Sequence, residues 1–176
     1  MRDDECLADN PAVSRAELAA LHAEAWRWAL SQSAYDPPAA EDLVQQAYVE
    51  ILSGSARFDG RATLKTFLFG VIRNLARRRY RRLGVRLRLL RRHGAEAAPA
   101  SVPPPVHELG PVWAAVAALP ARQRDVIELV FLRELSLDDA ARVIGVSPGT
   151  ARTHYDRAKR RLATVLADDV PGGDGG

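Results

Sequence analysis

The sequence predicts an all-α protein made of two small helical domains joined by a proline-rich linker. Three observations carry this. Apolar residues recur at three- and four-residue spacing along most of the chain, and no strand pattern of useful length occurs. Ala, Leu and Arg abound while aromatic residues make up only 6% of the chain, a balance that favours helices over sheets. Around "PASVPPP" the composition shifts to Ala, Pro, Ser and Gly, and proline at that density lacks the amide donors for regular structure and favours extended polyproline geometry. A chain of 176 residues that is 47% hydrophobic can bury a core in each domain. The expected boundaries are 12–92 for a helical bundle, 93–110 for a flexible linker, 111–166 for a second helical unit and 167–176 for a disordered tail.

In the first unit, Ser14 and Glu17 fit a capping box, and the helix they open is expected to run to about Tyr35, where "DPP" stops it. A second helix starts near Ala39, with Leu43, Val44, Ala47, Tyr48, Ile51 and Leu52 on one face. Gly54 and "RFDG" break the chain. The third helix has the cleanest pattern: Leu64, Phe67, Leu68, Val71, Ile72 and Leu75 form one buried stripe.

In the second unit, Pro111 suits a first helical turn, and Val112, Ala115, Val116 and Leu119 make a short apolar face. Pro120 restarts a helix carrying Val126, Ile127, Leu129, Val130 and Leu132. "LSLDDAARVIGVSPGTARTHYDRAKRRL" then reads as a helix-turn-helix. Ser136 with Asp139 suggests a capping box, and Leu137, Ala140, Ala141 and Ile144 bury one face. Gly145 can take the left-handed conformation that leaves the helix, Val146 plugs the turn, Ser147 caps the next helix and Pro148 opens it. In that helix Ala151, Tyr155, Ala158 and Leu162 face inward, leaving Arg152, Thr153, Asp156, Arg157 and Arg160 outward. That outer set suits a DNA major groove.

Charge is segregated along the chain. Residues 61–92 hold twelve basic residues and no acid, so a chain of net charge +3 leaves −9 for the remainder by subtraction. Such a distribution indicates a localised polyanion-binding surface. Asn74, Arg77, Arg78 and Arg81 recur at helical spacing opposite the aliphatic stripe, with no acid on their own helix to pair with them. Asn74 offers donor and acceptor together, the equipment for reading a base edge. Phe58, in a loop, is a candidate stacking surface for a single-stranded base, whereas most of Phe67, Phe69 and Tyr80 read as core. The preceding helix has the opposite character: Glu41, Asp42, Gln45, Gln46 and Glu50 form a polar, acidic face unsuited to DNA, either an ordinary solvated face or a protein-docking face.

Other classes fit poorly. The single cysteine, Cys6, gives neither an intramolecular disulfide framework nor a zinc cluster. The first residues lack an apolar signal-peptide core and no run of about 18 apolar residues occurs, so the expectation is a cytoplasmic protein with no membrane segment. His22, His93, His107 and His154 are scattered without a partnered nucleophile or ligand spacing, which argues against an enzyme and calls for no cofactor or metal. A simple helix-turn-helix regulator would account for the second unit, but would need a sensor or receiver domain that the first unit does not resemble.

"AEDLVQQAYVEIL" followed by "RFDGRATLKTFLFGVIRNLARRRYRR" resembles the second region of extracytoplasmic-function (ECF) RNA polymerase sigma factors. "LPARQRDVIELVFLRELSLDDAARVIGVSPGTARTHYDRAKRRL" resembles their fourth region. The resemblance spans roughly residues 12–166 and implies a non-catalytic factor that binds core RNA polymerase, directs it to promoters and assists melting. It implies that Asp42, Leu43, Val44 and Gln45 dock on the clamp coiled coil, with the flap as a further polymerase contact. It implies that Phe58, Asp59, Gly60 and Arg61 cradle a base flipped from the non-template strand at the minus-ten element, that Asn74 contacts that base, and that Arg77 and Arg78 continue along the strand. For the duplex minus-thirty-five element it implies Ser147, Thr150, Arg152, Thr153, Asp156, Arg157 and Arg160. An anti-sigma protein is a further candidate partner. The chain departs from the usual family pattern with Phe67 for a frequent Trp, an unbroken "ARRRYRR" where Asp is common, and the acidic Asp156.

Overall fold

A computed structural model describes residues 13–92 and 110–168, in two compact units that flank the stretch 93–109. The expected linker therefore lies outside the described residues except for Gly110, which already opens a helix. No strand occurs among the described residues, as the all-α reading requires.

The first unit contains α1 (Arg15–Ala20), α2 (His22–Gln32), α3 (Pro37–Leu52) and α4 (Leu64–Arg92). Ser14 and Glu17 form the full reciprocal capping box, with the Ser14 amide donating to Glu17 at 2.8 Å and the Glu17 amide to Ser14 Oγ at 3.2 Å. These bonds hold the Glu17 carboxyl pKa below its ordinary value, because they favour the ionised form. The single helix expected up to Tyr35 is interrupted at Leu21, whose φ of −93° and ψ of 0° close α1 with a tighter turn. It ends at Gln32, before Ala34 and Tyr35 turn the chain with positive φ. Helix α3 starts two residues earlier than expected, since proline is well suited to a first helical turn.

The core of this unit is centred on Trp28, which is fully buried. Its ring stacks on Phe69, with centroids 5.8 Å apart, and its indole N–H donates to the Phe69 carbonyl at 3.1 Å. The indole therefore enters the apolar interior without leaving its donor unsatisfied. Leu43, Val44, Ala47 and Ile51 of α3 and Leu68, Val71, Ile72 and Leu75 of α4 close around it, much as the periodicity indicates. Helix α4 begins where the Thr63 hydroxyl accepts the Thr66 amide. It is tied to its neighbours by Lys65, which pairs with Glu24 of α2.

The second unit contains α5 (Gly110–Ala117), α6 (Ala121–Ile127), a π-helical turn (Glu128–Leu132), α7 (Leu137–Ile144) and α8 (Pro148–Asp168). Helix α8 reaches two residues into the expected tail; residues 169–176 lie outside the described residues. The helix restarted by Pro120 does not run regularly to Leu132. Its last turn widens, with the Arg133 amide donating to the Glu128 carbonyl five residues back, and Phe131 and Leu132 are turned outward. Val116, Leu119, Ile127 and Ala158 form a core cluster, with Tyr155 and Leu162 packed against it. Val112, expected on the same face, is half-exposed.

The helix-turn-helix forms as its local signals require. Ser136 caps α7 by accepting the Asp139 amide at 3.1 Å, but the reciprocal half of the expected capping box is missing. Aspartate is one methylene shorter than the glutamate of a full box, and Asp139 instead accepts the Ser136 hydroxyl at 2.7 Å. Gly145 leaves α7 at φ 67°, a left-handed conformation that costs a Cβ-bearing residue about 1–2 kcal/mol. Ser147 then caps α8 through the Thr150 amide at 3.2 Å.

Candidate nucleic-acid interface

In the first unit the interface is built on α4, whose aliphatic stripe is inside and whose opposite face carries Asn74, Arg77, Arg78 and Arg81, all exposed. These four are not equivalent. The Arg78 guanidinium donates two hydrogen bonds to the carboxylate of Glu50 on α3, at 3.3 and 3.2 Å. Its neighbour Arg79 lies 3.7 Å from Asp42, also on α3. Arg77 and Arg81 have no ion-pair partner among the described residues. The acid-free run of α4 is thus partly neutralised by a different helix, which inspection of α4 alone does not reveal.

The loop before α4 holds the other expected residues. Phe58 is half-buried with its ring against Phe67, centroids 5.3 Å apart, so only part of its face is available for stacking. Asp59 and Arg61 form a tight turn across Gly60: the Arg61 amide donates to Asp59 at 3.1 Å, and Gly60 sits at φ 72°. Asp59, Gly60 and Arg61 are all exposed. The side chains at the two turn positions pair loosely at 3.4 Å while remaining solvated.

The expected docking residues on α3 split in two. Asp42 and Gln45 are exposed, whereas Leu43 and Val44 are closed into the core, at 2% and 0% exposure. Leu43 and Val44 therefore hold the helix, and of the four expected docking residues Asp42 and Gln45 face outward. Gln45 is steadied by Glu41, one turn earlier, at 3.0 Å. Val49 extends this outward face with an exposed apolar side chain that sequence reading passed over, because it lies off the buried stripe.

In the second unit, Ala151 and Ala158 are fully buried, while Arg152, Thr153, Asp156, Arg157 and Arg160 are exposed together along α8. Among the described residues, the hydrogen bonds along this face run within α8 and its Ser147 cap. Thr153 donates to the Gly149 carbonyl at 3.0 Å, Arg160 to the Asp156 carbonyl at 3.3 Å, and the Ser147 and Thr150 hydroxyls meet at 2.8 Å. The Asp156 carboxylate is not the group used by Arg160. His154 is partly buried, and its Nδ1 has no hydrogen-bond partner among the described residues. Desolvation, then the charges of Arg122 on α6 and Arg157 on α8, push its pKa below the ordinary histidine value. Arg122 was not singled out from sequence, since only the packing of α6 on α8 brings it near His154.

Two helices in separate units therefore present basic outer faces, one with an amide and a nearby loop aromatic, the other as the second helix of a helix-turn-helix. Family comparison agrees with this division. Residues 15–86 match Sigma-70 region 2 and residues 109–162 match Sigma-70, region 4. The ECF RNA polymerase sigma factor EcfG of Rhodopseudomonas palustris is 30% identical over 139 residues, covering 74% of this chain and 72% of that protein. The chain belongs to the ECF sigma factor family. Sigma factors bind RNA polymerase and direct it to specific promoters to initiate transcription, and this is the function that membership gives the chain. The ECF sigma factor SigC of Mycobacterium tuberculosis is 28% identical over 176 residues, covering 93% of this chain and 89% of that protein. Among solved structures, the sigma factor RpoE in complex with the anti-sigma factor NepR, from Bartonella quintana, shares 27% identity with a TM-score of 0.65. The match covers 87% of this chain and 96% of that one. No helix among the described residues is long and apolar enough to cross a membrane.

Proposed function

We propose that the two units of this ECF sigma factor divide promoter recognition between duplex and melted DNA. The second unit places the outer face of α8 in the major groove of the minus-thirty-five element, using Ser147, Thr150, Arg152, Thr153, Asp156, Arg157 and Arg160. The first unit captures the non-template strand at the minus-ten element. There the loop of Phe58, Asp59, Gly60 and Arg61 receives an extruded base, Asn74 reads its edge, and Arg77 and Arg81 of α4 follow the phosphates. The observation that carries this reading is the face of α4, where an exposed amide stands among cations opposite a buried stripe. Cations alone bind phosphate without sequence preference; the amide adds a donor and an acceptor for a base edge.

Asp42 and Gln45 on α3 dock on the polymerase clamp coiled coil, and the second unit meets the flap. The protein works in the cytoplasm without a cofactor, and the polymerase supplies all covalent chemistry. An anti-sigma protein is a fitting regulator, since the RpoE relative is seen bound to one. Run-off transcription with purified core polymerase on a randomised promoter pool, with and without this chain, tests the reading. Transcripts that require the chain and share two sequence elements are expected. Tight, selective binding to duplex DNA without polymerase, and no transcripts, would point to a simple regulator instead.

A further inference from the structure

Within that reading, we propose that Glu50 is a positioning residue, and that Arg78 serves it rather than a DNA phosphate. Glu50 stands where three parts of the first unit meet. Its carboxylate takes both terminal nitrogens of Arg78 on α4, at 3.3 and 3.2 Å. Its carbonyl accepts the Ala56 amide at 2.7 Å, which fixes the start of the loop leading to Phe58 and Arg61. Its own helix, α3, carries Asp42 and Gln45 outward. One residue thus connects the docking helix, the base-cradling loop and the strand-facing helix.

The geometry of α4 gives this connection a consequence for base reading. Asn74 and Arg78 are four residues apart, one helical turn along the same face. Anchoring Arg78 on the C-terminal part of α3 therefore fixes the rotation of α4 that turns Asn74 toward the side where Glu50 holds the loop. A planar guanidinium matched to a carboxylate by two parallel bonds restrains orientation as well as distance, which a lysine would not do. The side chain of Glu50 is only 20% exposed, whereas that of Asp42 in the looser pair with Arg79 is 71% exposed. Of these two pairs between α3 and α4, the Glu50 pair is the more enclosed. Phosphate contact is left to Arg77 and Arg81.

The test uses the full chain reconstituted with core polymerase, a pool of promoter DNA randomised at the minus-ten region, and sequencing of the transcripts. Glu50→Gln and Arg78→Ala should each reduce discrimination at the base read by Asn74 about two- to fivefold, the range of a partly exposed ion pair. Core affinity of Arg78→Ala should stay unchanged. The exchanged pair Glu50→Arg with Arg78→Glu should restore most of that discrimination, which a phosphate-contacting Arg78 could not do. In a parallel measurement with single-stranded oligonucleotides, Arg78→Ala should leave the salt dependence of affinity unchanged while Arg77→Ala makes it shallower. A shallower salt dependence for Arg78→Ala, or an exchanged pair weaker than either single variant, overturns the proposal. If Asn74→Ala also left base preference intact, the reading of α4 itself would fall, an outcome distinct from failure of the Glu50 brace. A melt by circular dichroism identifies any variant that loses discrimination by unfolding, and the exchanged pair then decides.

Discussion

Helices α4 and α8 solve the same problem differently. Each buries an apolar stripe and offers a basic outer face, yet α4 is positioned by distant partners and α8 by its immediate neighbours in sequence. Arg78 and Arg79 reach back to Glu50 and Asp42 on α3, and Lys65 to Glu24 on α2. Among the described residues, the hydrogen bonds of the outward polar groups of α8 run within α8 and its Ser147 cap, and its direction is set by Ser147, Gly145 and the Ser136 cap. A duplex groove is a rigid target that a well-capped helix can enter as a unit. A melted strand has no fixed shape, so the surface proposed for it must supply the order, and the tertiary ties of α4 suit that role.

This contrast can be broken most forcefully in the core of the first unit. Trp28→Ala removes a fully buried ring, its stack on Phe69 and a buried hydrogen bond, and should cost about 3–5 kcal/mol. Hydrogen exchange should rise across α2, α3 and α4 while α6, α7 and α8 keep their protection. A loss of protection spread equally over both units would show that α8 also depends on the first core.

The next effect separates reading from holding on α4. Asn74→Ala should erase preference at one minus-ten base, a loss of about 1–3 kcal/mol, without altering the salt dependence of affinity. Arg77→Ala should weaken all promoters about equally and make the log–log salt slope shallower by about 0.7, the single-strand value per contact. Transcription from templates varied one base at a time, at two salt concentrations, measures both. A change of base preference in Arg77→Ala would reverse the roles.

How much was legible beforehand follows the same division. The turn of the helix-turn-helix could be read residue by residue, because Ser136, Gly145, Ser147 and Pro148 act over three or four positions. The buried stripe of α4 was equally plain from its period. The partners of Arg78 and Arg79 were not, since Glu50 lies 28 residues away from Arg78 and nothing in either helix alone specifies their crossing. Asp42, Leu43, Val44 and Gln45 form one block in the family resemblance, but helical geometry sends Leu43 and Val44 inward. The π-helical turn at Glu128–Leu132 also escaped sequence reading, because the apolar residues there fit an ordinary helix as well.

A smaller effect tests the local construction of α8. A Cβ placed on Gly145 would meet no atom within 4 Å, so a substitution there carries only the backbone penalty of φ 67°. Gly145→Ala should destabilise the second unit by about 1–2 kcal/mol, and Gly145→Asn by less, since asparagine tolerates the left-handed region better. Thermal melts of the two variants measure this, with duplex affinity falling in the same order. Equal penalties for Ala and Asn would mean that something other than backbone conformation limits the turn.

The smallest effect exploits a chemical difference between the two faces. The outward basic groups Arg77, Arg78, Arg79 and Arg81 of α4 are arginines, which stay charged throughout the accessible pH range, whereas α8 also carries His154. Burial, Arg122 and Arg157 lower its pKa from 6.5, so the folded chain favours the neutral ring. As pH falls through the unfolded value, the unfolded chain takes up this proton first. Stability of the second unit should therefore be fully present above about pH 6.5 and decline as the solution is made more acidic, until the folded ring also protonates. An NMR titration of the His154 imidazole should give a midpoint below that of an unstructured peptide. Hydrogen exchange in α6 and α8 at pH 7.5 and 5.5 should show the matching loss of protection, and His154→Gln should remove that part of the pH dependence. A midpoint at or above the peptide value would mean that Arg122 and Arg157 do not crowd the ring, and the electrostatic picture of the α8 face would need redrawing.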